Sequence, residues 1–282
     1  MIFYNYNGKI FSENENIIGP TNRGLRYGDG IFETIKFKNA NIVLADDHFK
    51  RLWLGMRALQ FSIPIHFSVE KLTAEINALI KKNKLKEARI RITIIRSDGG
   101  IYDPKNDMPN YIIEAIKLPE DNGLLNNNGL QMCIYEDALK SIDTFSNLKT
   151  NNYLPYFMGA KFAKNQYCND AIILNSKRNI CDSTIANIFF IKDKVIYTVA
   201  LTEGCVAGVI RNWLINTLRI LNYKVEEIIV TKSMLYEADE IFLSNSIYNI
   251  RWVGSLDDKN YTNIEIQKMN ELLQRKYAAI FC

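Results

Sequence analysis

The alternation of apolar and polar positions at the start of the chain predicts two β-hairpins. Residues 3–6 and 9–11 are rich in aromatic and apolar side chains, and Asn7-Gly8 between them is a strong signal for a tight turn. A second hairpin is predicted where a strand at residues 31–37 is followed by Lys38-Asn39-Ala40. The chain is therefore expected to begin with antiparallel strands.

The spacing of apolar positions then changes from that of strands to that of helices. Apolar residues recur at helical intervals from Asp46 and again from Ser68, which predicts two amphipathic helices. Further strands are predicted at residues 89–94, where the alternation has period two, and at residues 111–116. We assign residues 1–118 to an N-terminal α/β domain and the polar residues 119–129 to a linker.

Residues 130–282 are assigned to a C-terminal α/β domain, because strands and helices alternate there again. Gly204 and Gly208 frame a loop before a strongly amphipathic helix, and Pro155 lies in a first helical turn, where proline is tolerated. In chain order, the predicted elements are a strand at 130–135, a helix at 153–165, a strand at 171–174, a hairpin of 187–191 with 195–198, a helix at 209–222 and a strand at 241–243.

The composition indicates a globular protein of enzyme size and argues against several other classes of protein. With 282 residues, of which 48% are hydrophobic, the chain can bury a sizeable core and form two domains. Its net charge of +4 is small and scattered, which gives no reason to expect nucleic acid. No apolar run approaches the roughly 20 residues that span a membrane, and the N-terminus lacks the order of a signal peptide. Five cysteines, an odd number without Cys-x-x-Cys spacing, argue against a zinc or disulfide scaffold. We expect a cytoplasmic enzyme.

Lys149 is the main candidate for chemistry. It lies just before a predicted helix, at an element boundary. A partly desolvated amine loses its proton more readily than one in water and can condense with an aldehyde to form a Schiff base. The aldehyde that this chemistry implies is pyridoxal phosphate. Taken alone, Lys149 also fits a solvated surface lysine, which is the commoner situation.

Two places in the sequence can bind a phosphate. Glycines before Val209 allow a helix N-terminus to direct the amides of Val209 and Ile210 at an anion, although a plain helix start has the same pattern. Arg51 can grip phosphate oxygens with two N–H groups, although a solvated arginine on an amphipathic helix fits equally.

Six segments occur in an order that is typical of one enzyme family. They are residues 23–34, His48-Phe49-Lys50-Arg51-Leu52, Lys149 with Asn152-Tyr153-Leu154, Asn187-Ile188-Phe189, residues 204–211 and residues 238–246. Together they resemble the class IV aminotransferases, the pyridoxal-phosphate enzymes that include branched-chain and D-amino acid aminotransferases and aminodeoxychorismate lyase. The resemblance covers nearly the whole chain. It implies an α/β (α+β) enzyme with two domains and fold type IV, similar to D-amino acid aminotransferase.

The resemblance also implies roles for individual residues. Lys149 would bind the cofactor covalently and then move a proton between the substrate carbon and the cofactor carbon. Aromatic core is an alternative interpretation for Tyr27 and Phe32, and a solvent-facing strand is one for Arg91. The implied phosphate ligands are Arg51, the amides of Val209 and Ile210, and Ser246; Tyr153 would lie near the cofactor's phenolic oxygen, and Tyr27, Phe32 and Arg91 would lie on the substrate side.

Asp182 departs from the family pattern. The family usually has a glutamate several residues before the Asn187-Ile188-Phe189 segment, where it pairs with the pyridine nitrogen of the cofactor; Asp182 is the nearest match. A carboxylate there keeps the nitrogen protonated, so that the ring can accept electrons when the α-proton leaves. Aspartate is one methylene shorter. The sequence leaves open a closer strand, a bridging water or a weaker electron sink.

The function expected from the resemblance is transfer of an amino group between an amino acid, of branched-chain or D-amino acid type, and a 2-oxo acid. Aminodeoxychorismate lyase is the alternative within the same chemistry: residues 95–102 resemble a glycine-rich stretch of some lyases, but Ile101 replaces their second arginine. A third alternative is a catalytically weak paralogue that acts as a binding module. The resemblance also implies a homodimer.

Overall fold

The protein is described by a computed structural model that covers residues 2–100 and 102–281. The chain divides into two compact units. The first contains the described residues up to Glu120 together with Leu148–Asn152, and the second contains Asp121–Asn147 and the described residues from Tyr153 onward. Among the described residues, no helix is long and apolar enough to cross a membrane.

The first unit is built on a six-stranded sheet. Its strands are β1 (Phe3–Tyr6), β2 (Lys9–Ser12), β3 (Gly30–Lys38), β4 (Asn41–Ile42), β5 (Ala88–Arg96) and β6 (Pro109–Lys117), and its helices are α1 (Arg23–Tyr27), α2 (Ala45–Ala58) and α3 (Val69–Lys82). Across the sheet the order is β2-β1-β6-β5-β3-β4, and every neighbouring pair is antiparallel. Apolar side chains of α2 and α3 pack in one core with those of β3, β5 and β6.

Helix α3 illustrates how local sequence determines this unit. The Ser68 hydroxyl accepts a hydrogen bond from the Lys71 amide at 3.2 Å, which satisfies a first-turn donor that has no partner within the helix. Leu72, Ile76 and Leu79 recur at helical spacing and are fully buried. The helix predicted from Ser68 is therefore confirmed.

Residues Leu148–Asn152 group with the first unit because their main chain pairs with β3. The Phe32 amide donates to the Lys149 carbonyl at 2.9 Å, and the Asn151 amide donates to the Gly30 carbonyl at 3.0 Å. The division predicted from sequence placed these five residues in the C-terminal domain. A composition change marks a linker, but it carries no information on which strand a distant segment will pair with.

The second unit is built on a nine-stranded mixed sheet. Its strands are β7 (Leu130–Lys140), β8 (Asp170–Asn175), β9 (Ile180–Ser183), β10 (Asn187–Lys192), β11 (Val195–Val199), β12 (Val225–Ile228), β13 (Glu240–Asn245), β14 (Asn249–Leu256) and β15 (Lys259–Asn260), and its helices are α4 (Leu154–Asn165), α5 (Val209–Ile220), α6 (Lys232–Tyr236), α7 (Ile264–Lys276) and α8 (Ala278–Phe281). The order is β12-β11-β10-β13-β14-β7-β8-β9, and β15 pairs with β14.

The predicted strands and helices of the second half are confirmed, but several elements were missed. Helix α4 begins at Leu154 with Tyr153 as its N-cap residue, within one residue of the prediction. Strand β9, which carries Asp182, was not predicted, because four residues are too few to establish a periodic pattern. Strand β14 and helix α7 were also missed.

Candidate active site

Lys149, Phe32 and Arg91 come together in the first unit. The Lys149 Nζ lies 4.0 Å from the centroid of the Phe32 ring, and the guanidinium carbon of Arg91 lies 3.8 Å from the same centroid. Arg91 pairs with Thr34 across β3 and β5, so it projects from the same face of the sheet as Phe32. Both cations contact the aromatic face, which attracts positive charge. Two residues predicted on the substrate side therefore lie beside the predicted cofactor lysine.

Arg51 is held by a buried carboxylate. Its Nε lies 2.7 Å from Glu33 Oε1, and its Nη2 lies 2.6 Å from Glu33 Oε2. The His48 Nδ1 lies 2.8 Å from the same Oε2. His48 and Arg51 are three residues apart on α2 and so share a helix face, which Glu33 of β3 meets. This Glu33-His48-Arg51 cluster fixes the direction of the guanidinium that was predicted to bind phosphate.

The Glu33-His48-Arg51 cluster keeps its carboxylate charged. Burial alone would raise the pKa of Glu33, but the charge of Arg51 and the hydrogen bonds from His48 and Arg51 outweigh it and hold that pKa at about 2. Glu33 is 1% exposed, so solvent screens this interaction little. The folded state therefore contains an ionised Glu33 throughout the neutral pH range.

We expect Glu33→Gln to lower the free energy of unfolding by about 3 kcal/mol at neutral pH, because it removes a buried carboxylate charge that pairs with the partly buried Arg51. A carboxyl with a depressed pKa stabilises the fold above its ordinary pKa and loses that contribution as it is protonated. The difference from the wild type should therefore be complete above pH 4.5 and shrink as the pH falls toward about 2. Urea denaturation of both proteins across that range measures it.

The control for this experiment is Glu271→Gln, which removes the charge of an exposed glutamate on α7. Its stability should match that of the wild type at every pH, because exposed charges contribute little. Equal stability of Glu33→Gln and the wild type at neutral pH would contradict the conclusion that the Glu33–Arg51 ion pair stabilises the fold.

Asp182 is the centre of a hydrogen-bond network in the second unit. It is 2% exposed on β9. Its Oδ1 accepts from Asn187 Nδ2 at 2.9 Å. Its Oδ2 accepts from the Tyr156 hydroxyl at 2.7 Å, from the Val206 amide at 3.0 Å and from Lys140 Nζ at 3.2 Å. Donors from β7, α4, β10 and the loop before α5 thus hold the carboxylate in one orientation.

The tyrosine and the two cysteines around Asp182 remain neutral. Burial, followed by the negative charge of Asp182, raises the pKa of Tyr156 well above its ordinary value. The same two causes raise the pKa of Cys181, and burial raises the pKa of Cys205 to about 12. These groups therefore stay protonated, and Lys140 is the cation that pairs with the carboxylate.

The N-terminus of α5 is arranged to accept an anion. Gly208 is the N-cap residue, and no side chain among the described residues caps the amides of the first turn, which includes Val209 and Ile210. A Cβ at Gly208 would lie 2.0 Å from Asn187 Oδ1, so only glycine allows this approach. Asn187 Nδ2 also donates to the Val206 carbonyl at 2.8 Å. Asn187 therefore links the Asp182 carboxylate to the start of this helix.

Two serines lie at the end of β13 near this helix. Ser244 is buried, and its hydroxyl has no hydrogen-bond partner among the described residues. Ser244 pairs with Asn187 across β10 and β13, so both side chains project from the face where Asn187 meets Gly208. Ser246 is half-buried in the turn after β13. Unpaired amides and an unpaired hydroxyl suit an anion with several oxygen atoms, and a phosphate group fits these residues.

The remaining predicted residues lie at partly exposed positions. Tyr27 ends α1 and is 43% exposed, with the Arg23 guanidinium carbon 5.1 Å from its ring centroid. Tyr153 is the N-cap residue of α4 and is 41% exposed. Among the described residues, no group of three or more His, Cys, Asp or Glu side chains could hold a metal ion.

Glu33, His48, Lys140 and Tyr156 belong to these networks but were not predicted as site residues from the sequence. Glu33 could have been recognised from the sequence. It is a charged residue on the otherwise apolar face of β3, which also carries Ile31, Ile35 and Phe37, and a buried charge needs a partner. Nothing in the sequence pointed to Lys140, because the predicted strand ended before it.

A sequence model described as amino-transferase class IV matches residues 30–256. The chain belongs to the class IV aminotransferase family. This family depends on pyridoxal 5′-phosphate, so the resemblance and the cofactor predicted from sequence are confirmed.

Individual class IV aminotransferases and related enzymes match over nearly their full length. A putative branched-chain-amino-acid aminotransferase from Methanocaldococcus jannaschii is 26% identical over 97% of this chain and 94% of its own. An aminodeoxychorismate lyase from Vibrio harveyi is 28% identical over 89% of this chain and 92% of its own. The structure of a branched-chain aminotransferase from Thermoproteus uzoniensis, solved with norvaline, matches with a TM-score of 0.87 at 22% identity, over 99% of this chain and 98% of that one. The predicted fold class is confirmed.

Proposed function

We propose that this class IV aminotransferase uses pyridoxal 5′-phosphate to transfer an amino group between an amino acid and a 2-oxo acid. The observation that carries the proposal is the Asp182 network, in which a buried carboxylate is linked through Asn187 to the uncapped N-terminus of α5. A flat cofactor with a ring nitrogen at one end and a phosphate on one edge needs such a pair of groups. When bound, it accepts the electrons that an amino acid's α-carbon releases with its proton.

Each predicted residue has a task in this proposal. Lys149 would bind the cofactor covalently and move the α-proton, first as a base and then as an acid. Arg51, the amides of Val209 and Ile210, and Ser246 would hold the phosphate, and the unpaired hydroxyl of Ser244 adds a further candidate. Asp182 would keep the ring nitrogen protonated. Tyr153 would serve the phenolic oxygen, and Tyr27, Phe32 and Arg91 would contact the substrate.

The contacts of Phe32 support its place on the substrate side. Its ring already lies against both Lys149 and Arg91, which is where an apolar side chain next to the reacting carbon would be needed. Arg91 carries a positive charge that suits a substrate carboxylate. We propose amino acids with branched-chain or D-amino acid character as substrates.

A second candidate is 4-amino-4-deoxychorismate lyase, which is favoured by the match to the Vibrio harveyi lyase. The contacts of Arg96 weigh against it. Arg96 is the residue of this chain that resembles the first arginine of the lyase stretch, but it pairs with Asp29 and Asp107 and donates to the Leu59 carbonyl at 2.5 Å. Each of its three guanidinium nitrogens therefore already donates to the protein. Ile101, in the place of the second arginine, lies outside the described residues.

A product assay with separate arms tests the proposed function. In one arm the protein loaded with pyridoxal 5′-phosphate receives branched-chain amino acids and 2-oxoglutarate, in a second it receives D-amino acids and 2-oxoglutarate, and in a third it receives aminodeoxychorismate. We expect glutamate in one of the first two arms. Pyruvate in the third arm alone would establish the lyase. Binding of the cofactor without a product in any arm would indicate a binding module.

We also propose that the protein is a homodimer. Helix α4 supports this, because Leu154, Phe157 and Met158 lie at helical spacing on its surface and are exposed. Exposed apolar side chains that cluster on one helix face are typical of a protein interface. Light scattering of the purified protein should give twice the chain mass of 32.6 kDa.

A further inference from the structure

Lys140 is placed beside Asp182 by an irregularity in its strand. The register between β7 and β8 is regular up to the pair Tyr135 and Ile173, and then shifts so that Lys140 pairs with Asn175. Three extra residues on β7 therefore bulge out of the ladder, and such bulges redirect the side chains that follow them. The Lys140 side chain is 11% exposed, and its Nζ lies 3.2 Å from Asp182 Oδ2. Burying an ammonium ion costs free energy unless a partner compensates for its charge. Lys140 therefore depends on Asp182 as its counter-charge.

The donors around Asp182 are distributed unequally between its two oxygen atoms. Oδ2 accepts from Lys140, Tyr156 and Val206, and also from the Cys181 thiol at 3.7 Å, which exceeds the two lone pairs of a carboxylate oxygen. Oδ1 accepts from Asn187 alone among the described residues and retains a second lone pair. Oδ1 is therefore the oxygen that can accept a further hydrogen bond.

The charge of Lys140 limits what Asp182 can do for a second cation. A carboxylate stabilises a nearby positive charge most strongly when its own charge is not already compensated. The groups that face Asp182 are Lys140 from β7, Tyr156 from α4, Cys181 from β9 and Cys205 from the loop before α5, and the last three are neutral. Lys140 alone among these four groups offsets the charge of Asp182.

We propose that Lys140 is a positioning residue for Asp182, which fixes the carboxylate with Oδ1 available and weakens its hold on a proton at the cofactor's ring nitrogen. This inference rests on the proposed function, in which Asp182 faces that nitrogen. It also explains how an aspartate can replace the usual glutamate: the Lys140 ammonium holds the carboxylate in place and reduces its electrostatic stabilisation of a protonated ring nitrogen. This arrangement suits a reaction in which the cofactor ring needs to withdraw electrons only moderately.

The first test uses the protein without cofactor and measures the pairing itself. Lys140→Met keeps the length of the side chain and removes its charge, while Tyr156 and Val206 still satisfy Oδ2. We expect Lys140→Met to lower the urea midpoint in the wild-type background and to leave it unchanged or raised in the Asp182→Asn background. The matched control is Lys161→Met, an exposed lysine on α4, which should behave alike in both backgrounds. Equal effects of Lys140→Met in the two backgrounds would overturn the pairing.

The second test measures the ring nitrogen directly. Proteins loaded with pyridoxal 5′-phosphate labelled with ¹⁵N at the ring are titrated and followed by NMR. Removal of the competing cation should raise the midpoint of the nitrogen titration by about one pH unit in Lys140→Met. Lys140→Arg, which keeps the charge, should stay close to the wild type. An unchanged or lowered midpoint in Lys140→Met would overturn the proposed effect.

The two tests separate this inference from the proposed function. If no variant and not even the wild type binds the cofactor, the proposed function fails while the urea experiment still decides whether Lys140 and Asp182 are coupled. If the cofactor binds and Lys140→Met shifts neither the coupling nor the nitrogen midpoint, the inference fails and the proposed function stands.

Discussion

Lys149→Ala should abolish covalent capture of pyridoxal 5′-phosphate and reduce turnover by about 10²–10⁴-fold or more, because it removes both the covalent link and the general base. The fold should survive. The Phe32 amide bonds to the Lys149 main-chain carbonyl, which alanine retains, and loss of the ammonium contact with the Phe32 ring costs only about 0.5–1 kcal/mol. Borohydride reduction followed by intact-protein mass measurement gives the readout.

The wild-type protein should gain the mass of one cofactor per chain after reduction, whereas Lys149→Ala should gain none. Lys81→Ala, which removes an exposed lysine on α3, is the matched control and should capture cofactor like the wild type. Normal turnover by Lys149→Ala, or a mass gain equal to that of the control, would remove Lys149 from the mechanism.

Asp182→Asn should reduce turnover by about 10²–10³-fold, which is the usual cost of removing a group that stabilises developing charge. The change also turns one acceptor into a donor among groups that all donate to Asp182, so we expect a loss of about 1–3 kcal/mol in stability. Turnover is measured at saturating cofactor, and the bound fraction is determined separately. A variant that retains cofactor and wild-type turnover would show that another group serves the ring nitrogen.

Asp182→Glu provides the companion experiment, because it restores the residue that the family usually has. The nitrogen and oxygen donors lie 2.7–3.2 Å from the carboxylate oxygens, and Asp182 is buried, so an added methylene has no room without displacing them. Overpacking of this kind costs about 1–3 kcal/mol. We therefore expect Asp182→Glu to lose stability and activity. A gain in activity would indicate that the surrounding donors can shift to accommodate the longer side chain.

The regular elements could be predicted where the periodic pattern was long enough. The signals for α3, the Ser68 cap and the apolar spacing after it, lie within one segment of sequence, and so does the Asn7-Gly8 turn of the first hairpin. Strand β9 escaped prediction because its four residues are all buried, so it has neither alternation nor helical spacing. The residue type of Asp182 was visible in the sequence, but its element was not.

The sequence by itself determined the family, and with it the cofactor, because residues with specific chemistry occur in one order over most of the chain. Only the tertiary structure decided which groups surround them. Lys140 reaches Asp182 through a strand bulge across 42 residues of sequence, and Glu33 meets Arg51 by pairing a strand with a helix. Hydrogen bonds and ion pairs between distant residues depend on strand register and packing, and no local pattern along the chain encodes those distances.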